Sequence, residues 1–268
     1  MNSLQDKKYR LIAFDVDGTI VDAKQQLCQH LKPVVHKLIA KGYIVTLVSA
    51  RHPQAMVGIA SSLGILGEFV ALNGSFITNS RLEVVYSKTF EIGQLVEPIK
   101  LIDANLAINY YHHFDWFVQN LNPYVELEYQ AYGFPYQIIE DSPPQIINKL
   151  TLIGHRDSLF RAQEIFAKNN SINAVFSSHH YLEVMCQSIS KFNALKQYAS
   201  TLGIEPSQII AFGDGENDIP MLSQVGLGVA MRNAHDIVKQ NAKDVTSFNN
   251  DEAGVARYLE NLIVKGIL

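Results

Sequence analysis

The chain has 268 residues, of which 47% are hydrophobic and 18% charged, and its formal net charge is −4. This length suits one large domain or two moderate ones, and the composition provides ample material for a globular core. The net charge argues against a general nucleic-acid-binding protein, which needs a basic face. We expect no transmembrane helix and no signal peptide, because no apolar run is long enough and the N-terminus is polar. The two isolated cysteines, Cys28 and Cys186, predict free thiols and a cytoplasmic protein.

The N-terminal third alternates between buried strands and helices. The first strand is an apolar run that stops abruptly at Asp15, Asp17 and Gly18, and the third strand stops at the turn signal Asn73-Gly74. We predict the order strand, helix, strand, helix, strand over residues 9–16, 32–40, 43–48, 53–63 and 69–72. Such an alternation builds a parallel sheet with helices on both faces.

The middle of the chain has a different pattern, which predicts strands with helices packed on one side, an α+β unit. Predicted strands cover residues 81–89, 107–118, 148–153, 174–176 and 181–185, and predicted helices cover 92–106 and 157–168. The segment 127–136 is ambiguous because Gly133 and Pro135 interrupt it. Aromatic residues of the second strand segment, among them Tyr110 and Trp116, are expected in the core of this unit rather than against a ligand.

From Lys191 onward the first pattern returns. Predicted helices cover residues 192–202, 219–225, 233–241 and 252–264, and predicted strands cover 209–212 and 226–230. Asn233 is the expected N-cap of the third of these helices. We therefore predict an α/β protein with a discontinuous, Rossmann-like parallel-sheet core, residues 1–84 and 186–268. An α+β cap domain, residues 85–185, is inserted between the two halves.

Three apolar strands of the predicted core end in polar side chains. The first ends in Asp15 and Asp17, the second in Ser49, and the strand at 209–212 is followed by Asp214 and Asp218. In open α/β sheets ligands bind at the carboxyl ends of the strands, so we expect these side chains to converge. Four converging carboxylates require a cation, and oxygen ligands without histidine or thiolate suit Mg²⁺.

A phosphate group beside such a cation needs further hydrogen-bond donors. Lys191 offers a positive charge and Ser49 a neutral hydroxyl, while small residues nearby let backbone N–H groups approach. An aspartate that attacks phosphorus divides phosphoryl transfer into two steps. We therefore predict Asp15 as the nucleophile and Asp17 as the group that moves the proton.

The same residues resemble, in chain order, the four signature motifs of the haloacid dehalogenase-like (HAD) phosphatases. Those motifs are matched by Asp15-Val16-Asp17-Gly18-Thr19, Ser49, Lys191 and Gly213-Asp214-Gly215-Glu216-Asn217-Asp218. Finer likeness points to the Cof-type subgroup with a type IIB cap. The stretches similar to that subgroup are Asn73-Gly74-Ser75, Gly213 to Leu222, Gly228-Val229-Ala230-Met231 and Asn233-Ala234. The resemblance covers nearly the whole chain.

The resemblance implies a role for each matching residue. It makes Asp15 the site of an aspartyl-phosphate and a Mg²⁺ ligand, and Asp17 the general acid/base whose main-chain carbonyl also binds the metal. It makes Asp214 a metal ligand and Asp218 a ligand or a carboxylate behind the ligands. The residues it assigns to the phosphate are Ser49, Ala50, Lys191 and Asn217, and those it places toward the substrate are Arg51, Asn73 and Gly74.

Two positions depart from the subgroup pattern. Ser49-Ala50-Arg51 stands where Thr-Gly-Arg is usual, and Arg232 stands where glycine is common. Serine keeps the hydroxyl, so we expect activity, although alanine narrows the backbone freedom of that turn. For Arg51, contact with the cap or substrate and simple compensation of surface charge are equally open.

The function implied is a Mg²⁺-dependent phosphatase of small phosphorylated metabolites, such as sugar phosphates or a phosphorylated cofactor like FMN or pyridoxal phosphate. One alternative is a phosphosugar mutase of the same fold, and another is a non-catalytic metabolite-binding protein. The second is disfavoured because the four carboxylates are all present. We expect a small-molecule substrate, no nucleic-acid or membrane partner, and a monomer or weak homodimer.

Overall fold

The computed structural model describes residues 7–79, 81–140 and 142–268. Within them, the helices are α1 (Leu31–Ala40), α2 (Gln54–Ser62), α3 (Val96–Leu101), α4 (Pro123–Tyr132), α5 (Arg156–Phe166), α6 (Lys191–Thr201), α7 (Ile219–Gln224), α8 (Asp236–Asn241) and α9 (Gly254–Val264). The strands up to the middle of the chain are β1 (Leu11–Phe14), β2 (Ile44–Leu47), β3 (Glu68–Ala71), β4 (Phe76–Asn79), β5 (Val84–Ser87), β6 (Phe90–Glu91), β7 (Ala107–His112) and β8 (Asp115–Gln119). The remaining strands are β9 (Gln137–Ile138), β10 (Ile146–Ile147), β11 (Lys149–Ile153), β12 (Ile172–Ser178), β13 (Tyr181–Cys186), β14 (Ile209–Gly213), β15 (Leu227–Ala230) and β16 (Asp244–Val245).

The core is a parallel sheet in the order β16-β15-β14-β1-β2. A single parallel bridge between Val48 and Val70 joins β3 to its edge, and β3 continues into an antiparallel sheet with β4 and β5. Alternate residues of β1 serve opposite faces: Ile12 packs with α1 and α9, whereas Leu11 packs with α6 and α7. Because both faces are covered, the strands are continuous apolar runs, and the predicted α/β core is confirmed.

The cap is a second sheet in the order β12-β13-β11-β7-β8-β9, antiparallel except for the β8–β9 pair. One face carries an apolar cluster with α5, and Leu150, Leu152 and Phe166 belong to it. The opposite face carries buried polar residues of β11 and β13 at alternate positions. The aromatic residues Tyr110 and Trp116 are each 1% exposed, which confirms that they belong to the core.

Several element boundaries differ from the sequence prediction. The helix expected over 92–106 is a 3₁₀ turn followed by the short α3, which ends at Leu101. The ambiguous segment is mostly α4, which starts at an Asn122 N-cap and ends at Gly133 in the left-handed conformation. The prediction of Asn233 as an N-cap is wrong, because α8 begins later and Asn233 Nδ2 donates to the Gly18 carbonyl at 2.8 Å. The predicted junctions between core and cap fall at strand ends, in β5 and β13.

Candidate active site

Three carboxylates converge at the carboxyl end of the core sheet. Asp15 follows β1, and Asp214 and Asp218 follow β14, the parallel neighbour of β1. One oxygen of each carboxylate lies within 4.8 Å of the other two. The pairing of β1 with β14 therefore brings together two of the strand ends at which the sequence predicts ligand-binding side chains.

Lys191, the first residue of α6, is buried among these carboxylates. Its Nζ donates to Oδ1 of Asp15 and to Oδ1 of Asp218, at 2.6 Å each. Burial alone would lower the pKa of Lys191, but the two carboxylates outweigh burial and raise it. The lysine is therefore a fixed positive charge that holds the nucleophile candidate in place.

Asp218 acts as an organiser of the loop after β14. Its Oδ2 accepts hydrogen bonds from the backbone N–H groups of Asp214 and Gly215, at 3.0 and 2.9 Å. With Oδ1 bound to Lys191, both carboxylate oxygens are already engaged. This geometry fits a carboxylate that supports the metal ligands more closely than it fits a direct ligand.

The crowding of acidic groups shifts their protonation. Burial, followed by the charge of Asp218, raises the pKa of Asp15 to about 7, although Lys191 opposes the shift. Burial and then Asp15 raise the pKa of Asp214 well above its usual range. Two buried carboxylates and a partly buried one, with a single lysine, thus carry an excess of negative charge, which is the environment that a cation stabilises.

The donor set fits a hard divalent cation, because it consists of carboxylate oxygens without sulfur or imidazole. Asp15 and Asp214 are the residues best placed to hold such an ion. Thr19, which the sequence analysis quoted without a role, donates from Oγ1 toward Asp15 Oδ2 at 3.2 Å, with Asp214 Oδ1 3.3 Å away. A hydroxyl four residues after the first aspartate therefore orients both candidate ligands.

Two glycines allow these close approaches. Gly18 has a φ of +72°, and a Cβ there would lie 2.1 Å from Asp214 Oδ2. Gly74 has a φ of +102°, and a Cβ there would lie 2.4 Å from the carbonyl oxygen of Ser190, the N-cap of α6. Gly74 thereby lets α6 pack close enough for Lys191 to reach the carboxylates.

The predicted phosphate-binding residues Ser49, Ala50, Lys191 and Asn217 all line one cavity with Asp15. Ser49 Oγ accepts the N–H of Arg51 at 3.1 Å, so its own hydrogen is free to be donated. Asn73 and Gly74, in contrast, are not among the residues that line the cavity. Asn73 Oδ1 accepts from Asn217 Nδ2 at 2.9 Å, which orients the Asn217 side chain. A role for Asn73 and Gly74 beside the substrate stays a prediction.

Asp17 lies at the cavity with a 45% exposed side chain and forms a bidentate pair with Arg51. Arg51 Nε donates to Oδ2 at 2.7 Å and Nη2 donates to Oδ1 at 2.6 Å. The guanidinium is itself buried and lies 5.1 Å from the ring centre of Tyr132 in α4. Arg51 therefore connects the candidate proton carrier in the core with the cap, and the burial of its side chain excludes a merely surface role.

The cavity has a volume of about 870 Å³ and is enclosed by the cap as well as the core. From the cap it is lined by residues that the sequence analysis did not assign, including Glu128, Tyr132, Lys149, Tyr181 and Glu183. Lys149 Nζ donates to the carbonyl of Ala50 at 2.7 Å and pairs with Glu183 Oε2 at 2.7 Å. The sequence signal for Lys149 and Glu183 is that each is the one charged residue of a mostly apolar strand, β11 or β13.

The two departures from the family pattern have structural counterparts. Ala50 is not among the residues with positive φ, so its turn accommodates alanine without strain. Arg232 donates its backbone N–H to Thr246 Oγ1 at 2.9 Å and its Nη1 to the Ser247 carbonyl at 2.9 Å. The arginine thus fastens the loop after β15 to the segment after β16.

Comparison with known proteins agrees with this arrangement. The sequence model of the haloacid dehalogenase-like hydrolases matches residues 12–259. A protein of Yersinia pseudotuberculosis named HMP-PP phosphatase is 29% identical over 260 residues, which cover 94% of this chain and 95% of that protein. A haloacid dehalogenase-like hydrolase from Bacteroides thetaiotaomicron superposes with a TM-score of 0.79 at 28% identity, covering 95% of this chain and 100% of its own.

The type of cap agrees as well. A structure described as a HAD subclass IIB sugar phosphatase superposes with a TM-score of 0.83 at 20% identity, over 97% of this chain and 100% of its own, which shows a shared fold. Among the described residues, no helix is long and apolar enough to cross a membrane. The resemblance stated from the sequence motifs, to the Cof-type subgroup with a type IIB cap, is therefore confirmed. The chain belongs to the haloacid dehalogenase-like hydrolases.

Proposed function

We propose that this enzyme is a Mg²⁺-dependent phosphatase that hydrolyses small phosphorylated metabolites, such as sugar phosphates or phosphorylated cofactors like FMN or pyridoxal phosphate. The observation that carries the proposal is the position of Asp15. It lies between Lys191 and the acidic groups of β14, in a cavity that also contains the donors Ser49 and Asn217. The names of two relatives, an HMP-PP phosphatase and a sugar phosphatase, support the same reaction class.

In the first step, a carboxylate oxygen of Asp15 forms a bond to phosphorus while the bond between phosphorus and the alcohol oxygen breaks. Asp17 gives a proton to the leaving oxygen. In the second step, water attacks the aspartyl-phosphate, Asp17 takes the proton of that water, and phosphate leaves with Asp15 restored. A bound Mg²⁺ supplies charge neutralisation for the phosphoryl oxygens.

The residues around the two aspartates have separate tasks in this scheme. Lys191 and Thr19 hold the two oxygens of Asp15, so that the nucleophile meets the phosphorus in a fixed orientation. Arg51 holds Asp17 with one hydrogen bond to each oxygen, and each oxygen keeps a lone pair that can carry the proton. The cap covers the cavity and excludes bulk water from the intermediate.

The nucleophile assignment is tested with Asp15→Asn and p-nitrophenyl phosphate in the presence of Mg²⁺. We expect the variant to lose at least about a thousandfold in kcat/KM, because an amide cannot form the phosphoenzyme. Asp157→Asn, an exposed aspartate on α5, is the matched control and should retain wild-type activity. An Asp15→Asn protein that is as fast as wild type contradicts the proposal.

A phosphosugar mutase would pass the phosphoryl group to a second hydroxyl rather than to water. Incubation with an anomeric hexose phosphate separates the two reactions, because a phosphatase releases inorganic phosphate and a mutase forms an isomer. We expect phosphate release. Cytoplasmic location, the monomer or weak homodimer, and the absence of nucleic-acid or membrane partners also stay predictions.

A further inference from the structure

The face of the cap that covers the cavity contains a buried polar network that is almost fully paired. Glu183 Oε1 accepts from Ser177 Oγ at 2.8 Å, and its Oε2 accepts from Thr151 Oγ1 at 2.9 Å and from Lys149 Nζ at 2.7 Å. Lys149 Nζ also donates a hydrogen bond to the Ala50 carbonyl. The hydrogen bonds of Glu183 and Lys149 are made within the protein, so these residues stabilise the cap and do not need a ligand as a partner.

Glu128, in the middle of α4, is the exception. The residue is 6% exposed, and its Oε1 accepts a hydrogen bond from the hydroxyl of Tyr111 at 3.0 Å. Its Oε2 has no hydrogen-bond partner among the residues that the structure describes. A buried carboxylate oxygen without a donor is costly, and Glu128 lies at the wall of the substrate cavity. The free oxygen is therefore available to a ligand in that cavity.

The surroundings of Glu128 place it beside the alcohol part of a substrate rather than beside its phosphate. Tyr132 lies one helical turn farther along α4 and lines the cavity, as does Tyr181 of β13. Arg51 lies over the Tyr132 ring and pairs with Asp17, the group that faces the leaving oxygen in the proposed reaction. The order from the phosphate outward is thus Asp15, Asp17, Arg51 and then the surface formed by Glu128 and the two tyrosines.

The charge on Glu128 responds to this burial. Desolvation raises the pKa of Glu128 to about 7, and the neighbouring carboxylates Glu183 and Asp17 add to the shift, whereas Lys149 and the Tyr111 hydroxyl oppose it. A hydrogen-bond donor on the substrate would stabilise the carboxylate form and relieve the cost of burial. The two tyrosine rings offer flat surfaces to a compact ring.

We propose that Glu128 selects the substrate by its alcohol part: Oε2 accepts a hydrogen bond from an O–H or N–H group on a small ring that lies against Tyr132 and Tyr181. The preferred substrates are then phosphomonoesters of small ring alcohols that carry such a donor. This inference rests on the proposed phosphatase function and adds the class of substrate. It assigns specificity to a residue of the cap that no motif marks.

The test compares phenyl phosphate, which has no donor on its ring, with its ortho, meta and para hydroxyl and amino derivatives. Hexose phosphates and their deoxy analogues form a second panel for sugar hydroxyl groups. The variant is Glu128→Gln, in which the amide oxygen can accept from Tyr111 while the amide nitrogen takes the place of Oε2. An N–H donor cannot accept the substrate's hydrogen. Glu126→Gln, an exposed site on the same helix, is the matched control.

We expect wild type to prefer at least one donor-bearing ester over its unsubstituted partner. Glu128→Gln should lower that preference about tenfold to a hundredfold, with phenyl phosphate hydrolysis changed less than about twofold. The hydroxyl and amino arms show which donor is preferred. Unchanged preferences in Glu128→Gln, or an equal loss on all substrates, would overturn the assignment and leave Glu128 a structural residue.

Measurements of binding affinity test this inference separately from the proposed reaction. Calorimetric affinities of the same esters for Asp15→Asn and for Asp15→Asn with Glu128→Gln require no turnover. If wild type releases no phosphate but the affinities show the Glu128-dependent preference, the reaction is wrong and the recognition site stands. If phosphate is released but neither rates nor affinities depend on Glu128, the reaction stands and the recognition site is wrong.

Discussion

The buried charged residues at this site differ in how many of their hydrogen-bonding atoms have a partner. Lys191 satisfies one oxygen on each of two carboxylates, and Asp218 uses its second oxygen on two backbone N–H groups. Glu128 satisfies only one of its two oxygens. Since an unmade hydrogen bond in the interior costs more than a made one contributes, an incompletely paired residue on the wall of the cavity points to a ligand.

The buried Glu128 predicts a pH dependence of stability. Burial raises its pKa from 4.5 to about 7, so the folded state holds the proton more tightly than the unfolded chain. The contribution of this pKa shift to the free energy of unfolding is therefore fully present below pH 4.5. It is lost as the pH rises through 7, by about 3 kcal/mol in total. Glu128→Gln does not titrate, so its stability relative to wild type should rise by that amount between pH 4.5 and pH 8.

Urea denaturation of both proteins across this pH range measures the difference, with Glu126→Gln as the control whose curve should follow wild type. A constant difference between Glu128→Gln and wild type would show that Glu128 has an ordinary pKa in the folded protein.

Among the secondary structure elements, α4 contributes both Glu128 and Tyr132 to the cap side of the cavity. It is a short helix with little burial of its own, so its start depends on the Asn122 cap. Asn122 Oδ1 accepts from the backbone N–H groups of Tyr124 and Val125, and its Nδ2 donates to the Ile153 carbonyl at 2.8 Å.

Asn122→Ala should therefore lower the free energy of unfolding by about 1 to 2 kcal/mol, because it leaves the first turn of α4 without its acceptor. Asn122→Asp keeps a good N-cap and loses only the bonds that Nδ2 donates to the carbonyls of Ile153 and Asn105, so it should retain most of the stability. Urea denaturation followed by circular dichroism measures both. Equal losses in the two variants would place the effect in the contacts of Nδ2 with the Ile153 and Asn105 carbonyls instead of the N-cap.

At the scale of the whole molecule, cap and core meet through buried polar contacts at two places. Asn148 donates to the carbonyls of Ser75 and Lys88 at 3.3 and 3.0 Å, close to the junction of the two domains. Lys149, the next residue, binds the Ala50 carbonyl in the loop that carries Ser49 and Arg51. The position of the cap is thus coupled directly to the loop that carries Ser49 and Arg51.

Removing the Lys149 contact should loosen the cap over the site. In Lys149→Met we expect the backbone amides of residues 49–52 to exchange hydrogen at least about tenfold faster than in wild type, because the loop loses its contact with the cap. The double variant Lys149→Met with Glu183→Gln removes both partners of the buried pair and separates loss of the contact from the cost of an uncompensated Glu183.

Hydrogen exchange measured by mass spectrometry follows this loop. Lys100→Met, an exposed lysine on α3 of the cap, should exchange there at the wild-type rate. Unchanged exchange of residues 49–52 in both Lys149 variants would mean that the cap position does not depend on this contact.

The core of this protein is predictable from its sequence, because the patterns that indicate its strands and motifs are local. Apolar strands that end at Asp15, Ser49 and Asp214 mark the carboxyl edge of a parallel sheet, and their motifs in chain order identify the family. Residues 127–136 are ambiguous in the sequence because Gly133, which ends α4, and Pro135 are both helix breakers. The N-cap of α4, Asn122, lies five residues before this segment, so the segment itself contains no signal for the start of the helix.

Which cap residues face the cavity depends on tertiary packing. Lys149 and Glu183 lie on strands whose pairing with each other could not be read from either strand alone, and Glu128 depends on how α4 packs on that sheet. The bidentate pair of Arg51 with Asp17 likewise joins loops that are far apart in the chain. Contacts between distant segments are set by packing. For that reason the sequence motifs indicate the groups proposed to react, whereas they do not indicate the groups proposed to choose the substrate.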